Sequence, residues 1–139
     1  MATRLDAEWI VVHAGFHFTA DYEQRKLAGM ERLQRASEYA EDGVIYYRLA
    51  QALAQQDRHK EAVTAYEQAL DDDELENRSD TFFWMAISHM SLENWNQAST
   101  AFRQAGKLDK RLAKQTRQYI RYITGEKRRQ AALKDMLNG

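Results

Sequence analysis

Ala62-Val63-Thr64-Ala65-Tyr66-Glu67-Gln68-Ala69 returns 36 residues later as Ala98-Ser99-Thr100-Ala101-Phe102-Arg103-Gln104-Ala105. Five of the eight positions are identical, and Tyr66 is matched by Phe102. The same offset pairs Tyr46 with Phe82, Leu49 with Met85, Ala50 with Ala86 and Leu53 with His89. Two copies of one unit therefore stand in tandem, and such self-similarity is the signature of a repeat architecture. Alanines at fixed positions let two antiparallel helices approach closely, and an aromatic one turn on fills the space beside them. Ala62 and Ala98 are the expected close-approach points, with Tyr66 and Phe102 as the knobs.

Turn signals divide the units into helices. Asp42-Gly43 separates an earlier helix from the first unit, and Gln56-Asp57-Arg58 is a tight turn within it. Ser79 is expected to cap the next helix, since its hydroxyl can accept from an unpaired first-turn N–H. Glu93-Asn94 marks the second internal turn. Gly106 fits the left-handed residue that follows a helix, and Asp109 can cap the element after it.

The spacing of Tyr46, Leu49, Ala50, Leu53, Ala62, Tyr66 and Ala69, with Phe82, Met85, Ala86, His89, Ala98, Phe102 and Ala105, resembles the tetratricopeptide repeat, whose unit is about 34 residues. Leu53 and His89 stand in place of its usual aromatic, Ala50 and Ala86 in place of its glycine, and its closing proline is missing. The extra length of the unit falls in Asp71–Ser79. The resemblance implies an all-α fold: tandem antiparallel helical hairpins in a superhelical array, with an N-terminal helical pair and a C-terminal capping helix. One domain spans 1–139, divided into N-terminal helices or a degenerate repeat (1–42), a first repeat (43–78), a second (79–106) and a basic capping helix (107–139).

The first 42 residues are less regular. Leu27, Met30 and Leu33, with Ala36 and Ala40, form a stripe from Tyr22 to Glu41, for which Asp21 is the expected cap. Upstream, Trp9, Val12, His13 and Phe16 have the spacing of a first hairpin helix, but Arg25 occupies the place of the second helix's alanine. At the other end, Leu112, Tyr119, Ile120 and Ile123 share one side of a helix, with Lys110, Lys114, Arg117, Arg121 and Arg128 opposite. Gly125 is a candidate break in that helix.

Composition bounds the function. The chain has 139 residues, no proline and no cysteine, so disulfides, thiolate metal sites and cysteine nucleophiles are excluded. The net charge is −1, but residues 1–106 carry −8 and residues 107–139 carry +7. The apolar run from Trp9 to Phe18 makes a poor signal peptide and is too short to span a bilayer. A cytoplasmic protein without a membrane span is expected.

No catalytic or metal constellation stands out, so neither enzyme activity nor a cofactor is expected. His13 and His17 have a metal-compatible spacing but no identifiable third ligand. The acidic run Asp71-Asp72-Asp73-Glu74 lacks the alternate spacing and turn glycine of a calcium loop. The expected site is the concave groove that the resemblance implies. Val44, Tyr47, Gln51 and Gln55 would line it from the first repeat, and Phe83, Ile87, Met90 and Ser91 from the second. The lysines and asparagines of the family's carboxylate clamp are absent from Tyr47, Gln51, Phe83 and Ile87. A groove of this composition suits an apolar peptide or helix. The expected function is protein–protein interaction, as an adaptor, assembly factor or small chaperone. A cytoplasmic chaperone for bacterial secretion substrates is one alternative. A nucleic-acid-binding accessory protein using Lys110, Lys114, Arg117, Arg121 and Arg128 is another, disfavoured by a whole-chain pI near 6.4. The N-terminal helices could fill the groove or join two copies.

Overall fold

The computed structural model describes residues 14–37 and 42–139. Six α-helices follow one another among them: α1 (Ala14–Ser37), α2 (Gly43–Gln55), α3 (His59–Leu70), α4 (Arg78–Ser91), α5 (Trp95–Leu108) and α6 (Ala113–Asn138), with a 3₁₀ turn at Lys110–Leu112. The architecture is the expected all-α array. Helices α2 and α3 form one hairpin and α4 and α5 the next; α3 packs on α4, α5 on α6, and α1 on α2.

The alanine pattern explains the packing. Ala50, Ala62, Ala69, Ala86, Ala98 and Ala105 are all fully buried. Each removes the side chain that would hold two backbones apart. Tyr66 and Phe102 are buried knobs, and Leu49, Leu53, Met85 and Ile123 complete the core.

Both hairpins turn in the same way. Asp57 and Glu93, one repeat offset apart, each take φ 58°. Arg58 N donates to Leu53 O at 2.9 Å, and Asn94 N to His89 O at 2.8 Å. The left-handed residue reverses the chain in minimal length but sets Cβ against the next carbonyl, at about 1–2 kcal/mol for an L-residue.

The long connection between repeats is tied down. Asp72 accepts from Gly43 N and Glu74 N, both at 3.0 Å. Arg78 Nη1 donates to the carbonyls of Leu70 and Asp72 at 3.1 and 3.0 Å, closing the end of α3. Gly43 is required here: a Cβ on it would lie 2.6 Å from Ala69 O.

Four sequence expectations fail locally. Asp21 lies inside α1, which runs unbroken from Ala14 to Ser37: no proline stands in it, and Gly29 in its interior weakens a helix without ending it. On this helix Met30 is buried and Leu33 packs on the core, whereas Leu27 is exposed. Ser79 lies inside α4, which starts at Arg78 after Asn77. Gly106 is an interior residue of α5, and no glycine has a positive φ among the described residues. Its use is close approach: a Cβ would meet Thr116 Oγ1 at 2.6 Å. Gly125 neither breaks nor ends α6, and a Cβ there would meet nothing within 4 Å. Asp109 does cap, accepting from Arg111 N at 3.0 Å at the 3₁₀ turn.

Candidate functional site

Two hollows lie along the face built from α2, α4 and α6. The first, about 410 Å³, is bounded by Gln51, Ala54 and Gln55 of α2, His59 and Tyr66 of α3, and Trp84, Ile87 and Ser88 of α4. The second, about 380 Å³, is formed by Met90 with Gln115, Gln118, Tyr119 and Tyr122 of α6. Gln51, Gln55 and Ile87 thus meet in the first hollow, and Met90 lies in the second.

Tyr47 borders neither hollow, but it holds Gln51, which borders the first. Gln51 Nε2 donates to Tyr47 Oη at 2.8 Å, and the Tyr47 ring stands edge-on to Tyr66 at 6.0 Å. Burial, with Asp80 nearby, pushes the Tyr47 phenol above its ordinary value. Burial pushes that of Tyr66 up strongly. Both phenols therefore stay neutral and keep their hydrogen-bonding protons at any physiological pH.

Phe83 is not available to a partner. It is 7 % exposed, with its ring 5.5 Å from Phe102 and 5.8 Å from Tyr119. Phe102 and Tyr119 stack in parallel at 4.8 Å. Helix α6 brings Tyr119 over Phe83 and makes it core, which the reading of α6 as a mere cap did not anticipate. Val44 and Ser91 are exposed but border neither hollow. The side chain that sequence reasoning missed is Trp84, 43 % exposed, with its ring 5.3 Å from Phe83. Its signal was present: Trp84 lies three residues before Ile87 and four before Ser88, hence on one helix face.

His59 Nδ1 lies 3.2 Å from Ser88 Oγ, and its Nε2 lies 3.6 Å from Asp57 Oδ1. The trio is not a hydrolytic triad. Ser88 is 1 % exposed and closed to substrate, while the Asp57 side chain is 96 % exposed and cannot orient an imidazole in a dry site. Its role is to pin the start of α3 to α4.

On α5's side of α4, His89 shares a hollow with Phe82, Met85 and Gln97. Its Nδ1 has no hydrogen-bond partner among the described residues. Burial pushes the imidazole below its ordinary value, opposed by Glu67.

Lys110, Lys114, Arg117, Arg121 and Arg128 are all exposed. Among the described residues no three His, Cys, Asp or Glu converge on a metal position, and no helix is long and apolar enough to cross a membrane. Trp9, Val12 and His13 lie outside the described residues, as do the side chains of Phe16 and His17.

Residues 43–74 match the tetratricopeptide repeat family. The matched segment is α2, its turn, α3 and the start of the connection that Asp72 organises. Among curated proteins none matches the chain.

Proposed function

We propose that this chain, which carries a tetratricopeptide repeat at residues 43–74, takes an apolar segment of another protein into the hollow between α2 and α4. It works there as an adaptor, assembly factor or small chaperone in the cytoplasm. The repeat is an interaction module, and the observation that supports this mode of binding is Trp84. Its indole stands 43 % exposed beside Ile87 in an open hollow of about 410 Å³. Partly exposed tryptophans in apolar depressions are the side chains on which interfaces concentrate their energy. Gln55, exposed at the rim, and Gln51 offer amides to the partner's backbone and fix its register. Among the described residues no lysine or arginine borders the hollow, so an internal apolar segment fits better than a free C-terminal carboxylate.

The test is a pull-down from source lysate at moderate salt, comparing wild type with Trp84→Ala/Ile87→Ala. Phe83→Ala is unsuitable, because it opens the core. A protein partner retained by wild type and lost by the double variant is the expected result. Capture that is unchanged, or that consists of nuclease-sensitive nucleic acid, refutes the reading.

A further inference from the structure

The bases that follow α5 fall into two groups. Some are engaged: Arg111 with Asp109 at 3.0 Å, Arg129 with Glu126 at 2.8 Å, and Lys127 with Asn96 Oδ1 at 2.6 Å. Lys114, Arg117, Arg121 and Arg128 are not. All four are exposed, and none forms an ion pair among the described residues. They stand three, four and seven residues apart, so they make one row along α6. Its length is about 21 Å. The row lies on the far side of the helix from Thr116 and Ile123, which are buried.

Between Lys114 and Arg128 this face carries neither an acid nor a large apolar side chain. Thr124 and Gly125, both exposed, complete it. Glu126 falls on the other side of the helix, paired with Arg129. Gly125 costs a helix interior about 1 kcal/mol against alanine. No packing requires it, since a Cβ there would meet nothing within 4 Å. It leaves the backbone bare between Arg121 and Arg128, and bare backbone is what lets a ligand come close.

We propose that the row is a docking surface for a nucleic-acid duplex, which lays one phosphate backbone along Lys114, Arg117, Arg121 and Arg128, closest at Gly125. No base sequence is read. The composition of the face selects this occupant. A protein, a second copy of this chain included, would meet the row with carboxylates alone. Solvent-exposed pairs of that kind contribute about 0–1 kcal/mol each, and a protein interface is built round an apolar core, which this face does not offer. A duplex needs no such core, because every phosphate neutralised releases condensed counterions. A single strand draws on aromatic stacking too, but Tyr119 and Tyr122 line the hollow beside Met90 and not the row. An anionic bilayer holds a helix through apolar side chains beside its cations, and the row has none. The whole-chain pI near 6.4 is no obstacle, since the charge is segregated: −8 on residues 1–106 and +7 on residues 107–139. The acidic part repels a polyanion and confines it to α6. This face is separate from the α2–α4 hollow, and the inference does not rest on that site.

The test uses the full chain and a fluorescein-labelled DNA duplex of about 20 base pairs, longer than the row at about 3.4 Å per step. Anisotropy titrations run from about 50 to 200 mM salt. The logarithm of the binding constant should fall with that of salt at a slope of about −3 to −4, the value for four phosphate contacts. Arg117→Gln/Arg121→Gln should make the slope shallower by about 2 and weaken low-salt binding roughly tenfold or more. Both side chains are solvated, so the urea midpoint should stay at its wild-type value. Gly125→Leu should be at least as stable as wild type and yet bind severalfold more weakly. Trp84→Ala/Ile87→Ala should bind the duplex as wild type does, whereas its protein capture is read separately in nuclease-treated lysate. A slope near zero, or wild-type affinity in Arg117→Gln/Arg121→Gln or in Gly125→Leu, overturns the proposal. So does tighter binding of a single strand of the same sequence, of polyglutamate or of phosphatidylserine vesicles. A salt-sensitive dimer in place of duplex binding, abolished by Arg117→Gln/Arg121→Gln, overturns it in favour of a second copy. Loss of duplex binding in Trp84→Ala/Ile87→Ala sinks the row while leaving protein capture by the hollow to its own readout.

Discussion

Gly106→Ala and Gly125→Ala make the same chemical change in two helix interiors, and the fold requires opposite outcomes. In either place alanine restricts the unfolded chain and improves helix propensity, by about 1 kcal/mol. At Gly125 nothing opposes that gain, because a Cβ meets no atom within 4 Å. At Gly106 the Cβ would lie 2.6 Å from Thr116 Oγ1 and 3.4 Å from Ala113 Cα. Thr116 is 3 % exposed, and its hydroxyl donates to Ala113 O at 3.0 Å. It is short, β-branched and enclosed, so α5 and α6 have to separate. Overpacking of this kind costs about 1–3 kcal/mol, which cancels or exceeds the propensity gain. Urea unfolding followed by far-UV circular dichroism should put the Gly125→Ala midpoint above wild type and the Gly106→Ala midpoint at or below it. Slopes should be unchanged, since the exposed area is the same. Thr116→Ala makes room for the new methyl, so Gly106→Ala/Thr116→Ala should be more stable than the two single effects add up to. If Gly106→Ala stabilises as much as Gly125→Ala, glycine is not the contact between α5 and α6.

Other consequences are equally open to measurement. Asp57→Gly should raise stability by about 0.5–1 kcal/mol, the relief of a left-handed L-residue less the entropy of glycine; an unchanged thermal midpoint contradicts the turn geometry. Ala62→Leu and Ala98→Leu each force apart a hairpin and should destabilise by about 1–3 kcal/mol, so a wild-type denaturation midpoint in both would refute the packing of α2 on α3 and of α4 on α5. His89 has its imidazole pKa lowered by burial, so it binds a proton more readily unfolded than folded. Its stability contribution is complete above the ordinary imidazole value of about 6.5 and shrinks as pH falls towards the lower value of the fold. His89→Leu, which copies Leu53 of the first repeat, should raise the midpoint and flatten that acid limb. An identical pH profile in the variant would assign the limb to other groups.

The alanine and aromatic positions were legible because close helix approach tolerates few residues. Ala62, Tyr66, Ala98 and Phe102 carry the hairpins, and the sequence states them twice. Gly106 was misread because a glycine that ends a helix and one that admits a neighbouring helix look alike in one dimension. Only Thr116, ten residues away, distinguishes them. Phe83 was misassigned for a related reason: its exposure is decided by Tyr119, on a helix that local pattern marks only as amphipathic. Trp84 was missed because the assigned stripe ran through 83, 87 and 90, whereas the exposed side chain beside Ile87 is that of residue 84. The basic line on α6 was legible, because spacing along one helix needs no tertiary information.

The connection around Asp72 ties together the start of α2, the end of α3 and the start of α4, through Gly43 N, the carbonyls of Leu70 and Asp72, and Arg78. In mechanical terms it is a rivet. A linear stack normally peels one repeat at a time, because each unit contacts only its neighbours. Here the junction between the two repeats carries load across three helix ends at once. Under tension these helices should yield as one block, while the last turns of α6, beyond the Trp95–Gln130 contact, should fray first. The stiff part of the molecule is then the part that holds the α2–α4 hollow, whose walls keep their spacing while the ends are pulled or frayed.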